Sequence, residues 1–170
     1  MEAVARVSKT RRGGTTVREL LEDIRKTVEG GAWHGPSLAE ACEGVTHAQA
    51  AAHPLDGAHS IQEVVQHAAA WMEEVAERLE GRFHPEPEAG DWRHVNNASP
   101  HCWRDAQAAL RQAYDRLCAA AAGVTDWSRM VGEERDPASG TGVSLEAMLR
   151  GVAQHNAYHA GQIAMLRKLL

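Results

Sequence analysis

Four times in its first 63 residues the chain places Ser or Thr three positions before Glu or Gln: Thr16 and Glu19, Ser37 and Glu40, Thr46 and Gln49, Ser60 and Glu63. In such a box the hydroxyl accepts from the N3 amide, and the N3 side chain reaches back to the cap amide, so each box predicts a helix start. Gly30-Gly31 stops the first helix and Pro54 the third. Ser99 before Pro100 opens a further helix that Gly123 stops, and Ser144 opens the last. The spacing predicts long helices near 16–29, 60–80, 100–122 and 144–169, with two short ones between the first two. No segment alternates with a strand's period of two over a useful length. The expected fold is all-α, an up-down-up-down four-helix bundle over residues 15–170, one domain. The connections 81–98 and 123–143 exceed the two to eight residues common in bundles. Each holds a tryptophan, Trp92 or Trp127, and is expected to pack down.

Charge and composition narrow the function. A net charge of −5 offers no electrostatic footprint for nucleic acid, and no apolar run approaches the roughly 18 residues of a membrane span. The basic start, with Arg6, Lys9, Arg11 and Arg12, lacks a signal's apolar region and reads as a flexible tail over 1–14. Cys42, Cys102 and Cys118 are widely spaced without a CxxC pair, which favours a reducing, cytoplasmic setting over disulfides or a thiolate zinc site.

The unusual count is ten histidines. Along the last helix Leu145, Met148, Val152, His155, His159, Ile163, Leu166 and Leu170 follow steps of three or four, which puts two imidazoles on the core seam. Val64, His67, Trp71 and Val75 form a similar stripe in the second long helix. Three inward imidazoles need partners for their ring nitrogens. They either hydrogen-bond within the core or share a metal, since three histidines with an open fourth position suit a catalytic ion. Asn156 and Gln162 are candidate hydrogen-bond partners for ligand imidazoles. Tyr158 falls off the seam and reads as packing. Glu63 is explained by its capping box, with a general-base role as the alternative. His59 is a candidate for the mouth of the site, whereas His34, His47, His53, His84, His94 and His101 read as solvated.

The stretches "HSIQEVVQHAAAW" at 59–71, "HNAYHAGQI" at 155–163 and "AWHGPSLAEACEGVTHAQA" at 32–50 resemble the DinB/YfiT-like superfamily of metal-binding four-helix bundles. The resemblance covers about residues 15–170 and implies that His67, His155 and His159 are a metal triad. It further implies one divalent ion, nickel or zinc, and frequently a homodimer. Relatives of known activity include metal-dependent transferases and an isomerase that use low-molecular-weight thiols, and many other members have no known reaction. The expected activity is therefore transfer of such a thiol to an electrophilic small molecule, with metal-dependent hydrolysis or a non-catalytic metal-binding stress protein as alternatives. No residue stands out as a catalytic base. Alternating helix directions would place the ion toward the end where 31–59 and 123–143 meet, with 81–98 at the far end.

Overall fold

The computed structural model describes residues 16–95, 98–132 and 142–170. The expected tail, 1–14, lies outside the described residues. Among the described residues six helices follow one another: α1 (Val17–Val28), α2 (Leu38–Cys42), α3 (His47–Ala51), α4 (Ile61–Leu79), α5 (Pro100–Ala122) and α6 (Leu145–Leu166), the last running into a 3-10 turn, Arg167–Leu169. All four capping boxes close in both directions, on Thr16, Ser37, Thr46 and Ser60. Ser99 and Ser144 cap α5 and α6 through their hydroxyls.

One element was not expected. Met130–Val131 (β1) and Val143–Ser144 (β2) pair antiparallel, Met130 opposite Ser144. Two residues are too few to leave a periodic trace in sequence. The segment before β1 also finishes two helix ends. The carbonyls of Trp127 and Arg129 accept from the first amides of α6, and the Arg129 guanidinium donates to the carbonyls of Arg78 and Leu79 at the end of α4.

The largest fully buried side chains, including Ile24, Leu38, Ile61, Met72, Leu117, Leu145, Leu149 and Ile163, come from α1, α2, α4, α5 and α6. On α6 the buried neighbour is Leu149 rather than Met148, and Leu170, past the helix end, is exposed.

The up-down-up-down order is contradicted. Arg116, late in α5, pairs with Glu73 and Glu77, late in α4. Cys102 and Asp105, early in α5, line one groove with Gln62 and Gln66, early in α4. The two helices therefore run the same way. α6 opposes them: its start meets Val75 and Arg78, and its end meets Val64. α1 runs with α6, because both end at α2. A Cβ on Gly30, which has φ +133°, would strike Glu40, and Arg167 donates to the Ala41 carbonyl.

Parallel neighbours need a crossover, and 81–98 supplies it. From the end of α4 back to Glu63 is sixteen residues of helix, about 24 Å, within reach of a connection of this length. The return path is pinned in order. The His84 carbonyl accepts from Arg78, Asp91 meets Trp71 and His67, and the Val95 amide donates to Glu63. Buried Glu74 also holds the start of this path, accepting from the His84 amide and contacting its Nδ1 at 3.1 Å.

Candidate metal centre

His67 lies on the second turn of α4, and His155 and His159 lie one turn apart on α6, which packs against α4. Their Nε2 atoms converge. His155 Nε2 is 3.0 Å from His67 Nε2 and 3.0 Å from His159 Nε2. The structure thus brings together the three histidines expected at one site, and they offer a compact set of three ligand atoms.

The outward ring nitrogens fix the proton positions. His67 Nδ1 lies 2.8 Å from the Asp91 carbonyl, which can only accept, so Nδ1 carries the hydrogen and Nε2 presents a lone pair. His159 Nδ1 donates to Gln162 Oε1 at 2.6 Å, with the same consequence. A neutral His155 has at most one Nε2–H, so at least one of the two 3.0 Å contacts sets lone pair against lone pair. A cation between the rings resolves that conflict. Burial, reinforced by the neighbouring imidazoles, holds His155 down at about 4; burial above all holds His159 at about 4 and lowers His67 too. A proton is therefore not that cation at neutral pH. Nitrogen ligands at 2.0–2.1 Å around a tetrahedral ion stand about 3.3 Å apart, close to the two separations from His155 Nε2, and all three ligand atoms lie within 4.8 Å of one another.

The crossover forms one wall of the centre, which corrects the expectation that 81–98 lies at the far end. The reason is the parallel α4–α5 pair, which forces this segment past His67. Asp91 Oδ1 accepts from Trp71 Nε1 at 2.7 Å and lies 3.2 Å from His67 Nδ1. The Trp92 ring is sandwiched between His59, 3.5 Å between centroids and 2° from parallel, and His67, 3.9 Å and 6°. Asp91 was not singled out from sequence, because a loop carboxylate has no periodicity to mark it. Trp92 was expected to pack down and does so, on the His67 ring.

Gln162 partners His159 as expected. Asn156 is fully buried and donates to Met72 Sδ at 3.5 Å. Its Oδ1 lacks a well-formed hydrogen bond among the described residues, though it lies near enough to His155 to favour that ring's protonated form. Tyr158 is mostly exposed, touching His159 edge-on rather than packing in the core. His59 meets the centre through the Trp92 ring.

Glu63 is a buried anchor. Burial pushes its carboxyl up, but donors outweigh that: the Ser60 and Val95 amides and His53 Nε2 hold it at about 2. His59 and His94 approach the same carboxylate at 3.5 Å. His53 and His84, expected to be solvated, each meet a buried carboxylate while keeping an exposed edge.

Two clefts flank the triad on α6. One of about 540 Å³ is lined by Leu55, His59, Tyr158, Gln162 and Met165; the other, of about 260 Å³, includes His155 itself. The groove between α4 and α5 touches none of the three imidazoles.

The family model of the DinB superfamily matches residues 32–163, from before α2 to the last turn of α6 and across all three imidazoles. Comparison with curated proteins and with solved structures found no match.

Proposed function

We propose that this chain, which belongs to the DinB superfamily, holds one divalent metal ion on His67, His155 and His159 and uses it to transfer a low-molecular-weight thiol to an electrophilic small molecule. The observation that carries the reading is the pair of 3.0 Å Nε2 contacts at His155, made to two imidazoles, His67 and His159, whose outward nitrogens are already committed. The imidazole donor set suits Zn²⁺ or Ni²⁺. When bound, such an ion makes a thiolate or hydroxide available near neutral pH.

The chain's own residues position and shield. Asp91 and Gln162 fix the tautomers of His67 and His159, and Trp92 covers one face of His67. The chain's own thiols are not set to attack at the triad: burial pushes Cys42 up to about 12 and raises Cys118, and Cys102 lines the groove away from the triad. A nucleophilic thiol must therefore come from solution. Hydrolysis is less well supported, because Glu63 is saturated with donors and too weak a base.

The architecture that goes with this reading is a four-helix bundle over one domain, with α4 and α5 parallel. A homodimer belongs to the same proposal, supported by exposed Tyr158 and Met165 on α6; a monomer by light scattering excludes it.

The test is conjugation of 1-chloro-2,4-dinitrobenzene by a panel of low-molecular-weight thiols on metal-loaded protein, with chloride leaving as the thioether forms. Turnover above the uncatalysed rate that disappears in His155→Ala supports transfer. Full metal loading with no turnover of this or other electrophiles favours a non-catalytic metal protein.

A further inference from the structure

α6 carries a glycine at 151, inside the helix, where glycine costs about 1 kcal/mol relative to alanine. Neither backbone nor packing asks for it. Gly151 is not among the residues with positive φ, and a Cβ built there meets nothing within 4 Å among the described residues. It stands one turn before His155, on the same face of the helix. The space it leaves open belongs to the cleft of about 260 Å³ that ends at His155.

Its other apolar walls include Trp71, Met72, Val75, Met148 and Val152. Among the described residues its one permanently charged lining group is Arg78, whose charge is already matched. Arg78 Nε donates to buried Glu74, Nη2 donates to the His84 carbonyl, and the guanidinium lies 5.6 Å from the Trp71 centroid and 4.8 Å from that of Phe83. A ligand carboxylate would face Glu74 behind that cation and gain little. The volume lies at or below the low end of the about 300–1,000 Å³ usual for small-molecule sites, which excludes a large ligand.

We infer that this cleft seats the apolar body of a small uncharged substrate, a single ring or short branched chain, with its reactive atom toward His155. The inference rests on the metal-site reading for its chemistry, but the cleft itself is built from residues that do not depend on an ion. Gly151 is the residue that sets its capacity.

The probe is benzyl alcohol, titrated by ligand-observed NMR into the full chain with and without Zn²⁺, while metal uptake is measured on the same samples. Wild type should bind it saturably in both states. Gly151→Leu, whose side chain enters the cleft and whose helix propensity is better, should weaken binding at least tenfold at unchanged metal stoichiometry. Met148→Ala, which widens the cleft, should bind 1-naphthalenemethanol at least fivefold tighter than wild type does. Saturable binding that Gly151→Leu leaves unchanged, or no saturable binding to wild type, overturns the inference. Gly151-dependent binding by a chain that takes up no metal supports the cleft and removes the metal reading. Metal uptake without benzyl alcohol binding does the reverse.

Discussion

Replacing Asp91 probes the wall of the centre that the crossover supplies. Its backbone carbonyl, the closer partner of His67 Nδ1 at 2.8 Å, survives substitution, so Asp91→Ala removes only the carboxylate 3.2 Å from that nitrogen and the acceptor for Trp71 Nε1. Hydrogen bonds to charged groups contribute about 1.5–3 kcal/mol, and the 39% exposure of the Asp91 side chain argues for the low end. With 1.4 kcal/mol equal to tenfold, metal affinity should fall about tenfold in Asp91→Ala. Asp91→Asn, which keeps an acceptor for Trp71 and loses the charge, should fall only part of the way. The assay is competition for Zn²⁺ against a chromophoric chelator at pH 7, with circular dichroism to show that each variant is folded. Affinity within twofold of wild type in a folded Asp91→Ala would refute the idea that this carboxylate supports His67.

Acid should destabilise the metal-free protein in two stages. His155 and His159 sit at about 4 in the fold against 6.5 ordinarily, so the unfolded chain binds more protons between those values. Stability should then fall as pH drops from about 6.5 to about 4, by a few kcal/mol in total because the two rings are coupled. Glu63, lowered to about 2 from 4.5, adds a loss as pH falls from 4.5 toward 2, in the same direction. Urea melts of metal-free protein at pH 7, 5.5 and 4.5 check the first stage, and a flat midpoint speaks against buried neutral imidazoles. The same shifts leave the ligands unprotonated at pH 5–6, so metal occupancy should persist there and drop only nearer pH 4. Glu63→Ala should cost about 2–4 kcal/mol of stability by removing a cap and leaving the Val95 amide unpaired. A thermal midpoint untouched by Glu63→Ala, with activity abolished, would instead make it a catalytic base.

The helices were legible because their signals are local. Thr16, Ser37, Thr46, Ser60, Ser99 and Ser144 each cap the helix they were expected to open. The inward placing of His67, His155 and His159 was legible from their apolar stripes, and their grouping into one triad came from the family resemblance. Helix direction was not, because a hydrophobic stripe reads the same whichever way its helix points. The trace of the true order was the length of 81–98, which a hairpin link does not need and a crossover does. The same blindness hid Asp91: its place beside His67 follows from the crossover, and no pattern around it says so. The β1–β2 pair and the partnering of His53 and His84 with buried carboxylates likewise depend on tertiary contacts.

The central claim is that three imidazoles bind one ion as a unit. The most direct measurement is elemental analysis of the purified chain beside folded His67→Ala, His155→Ala and His159→Ala, each saturated with Zn²⁺ and then desalted. The account predicts about one ion per wild-type chain and loss of most of it in every variant, since each ring supplies one of only three protein bonds. One ion per chain retained in any two of the variants would contradict it.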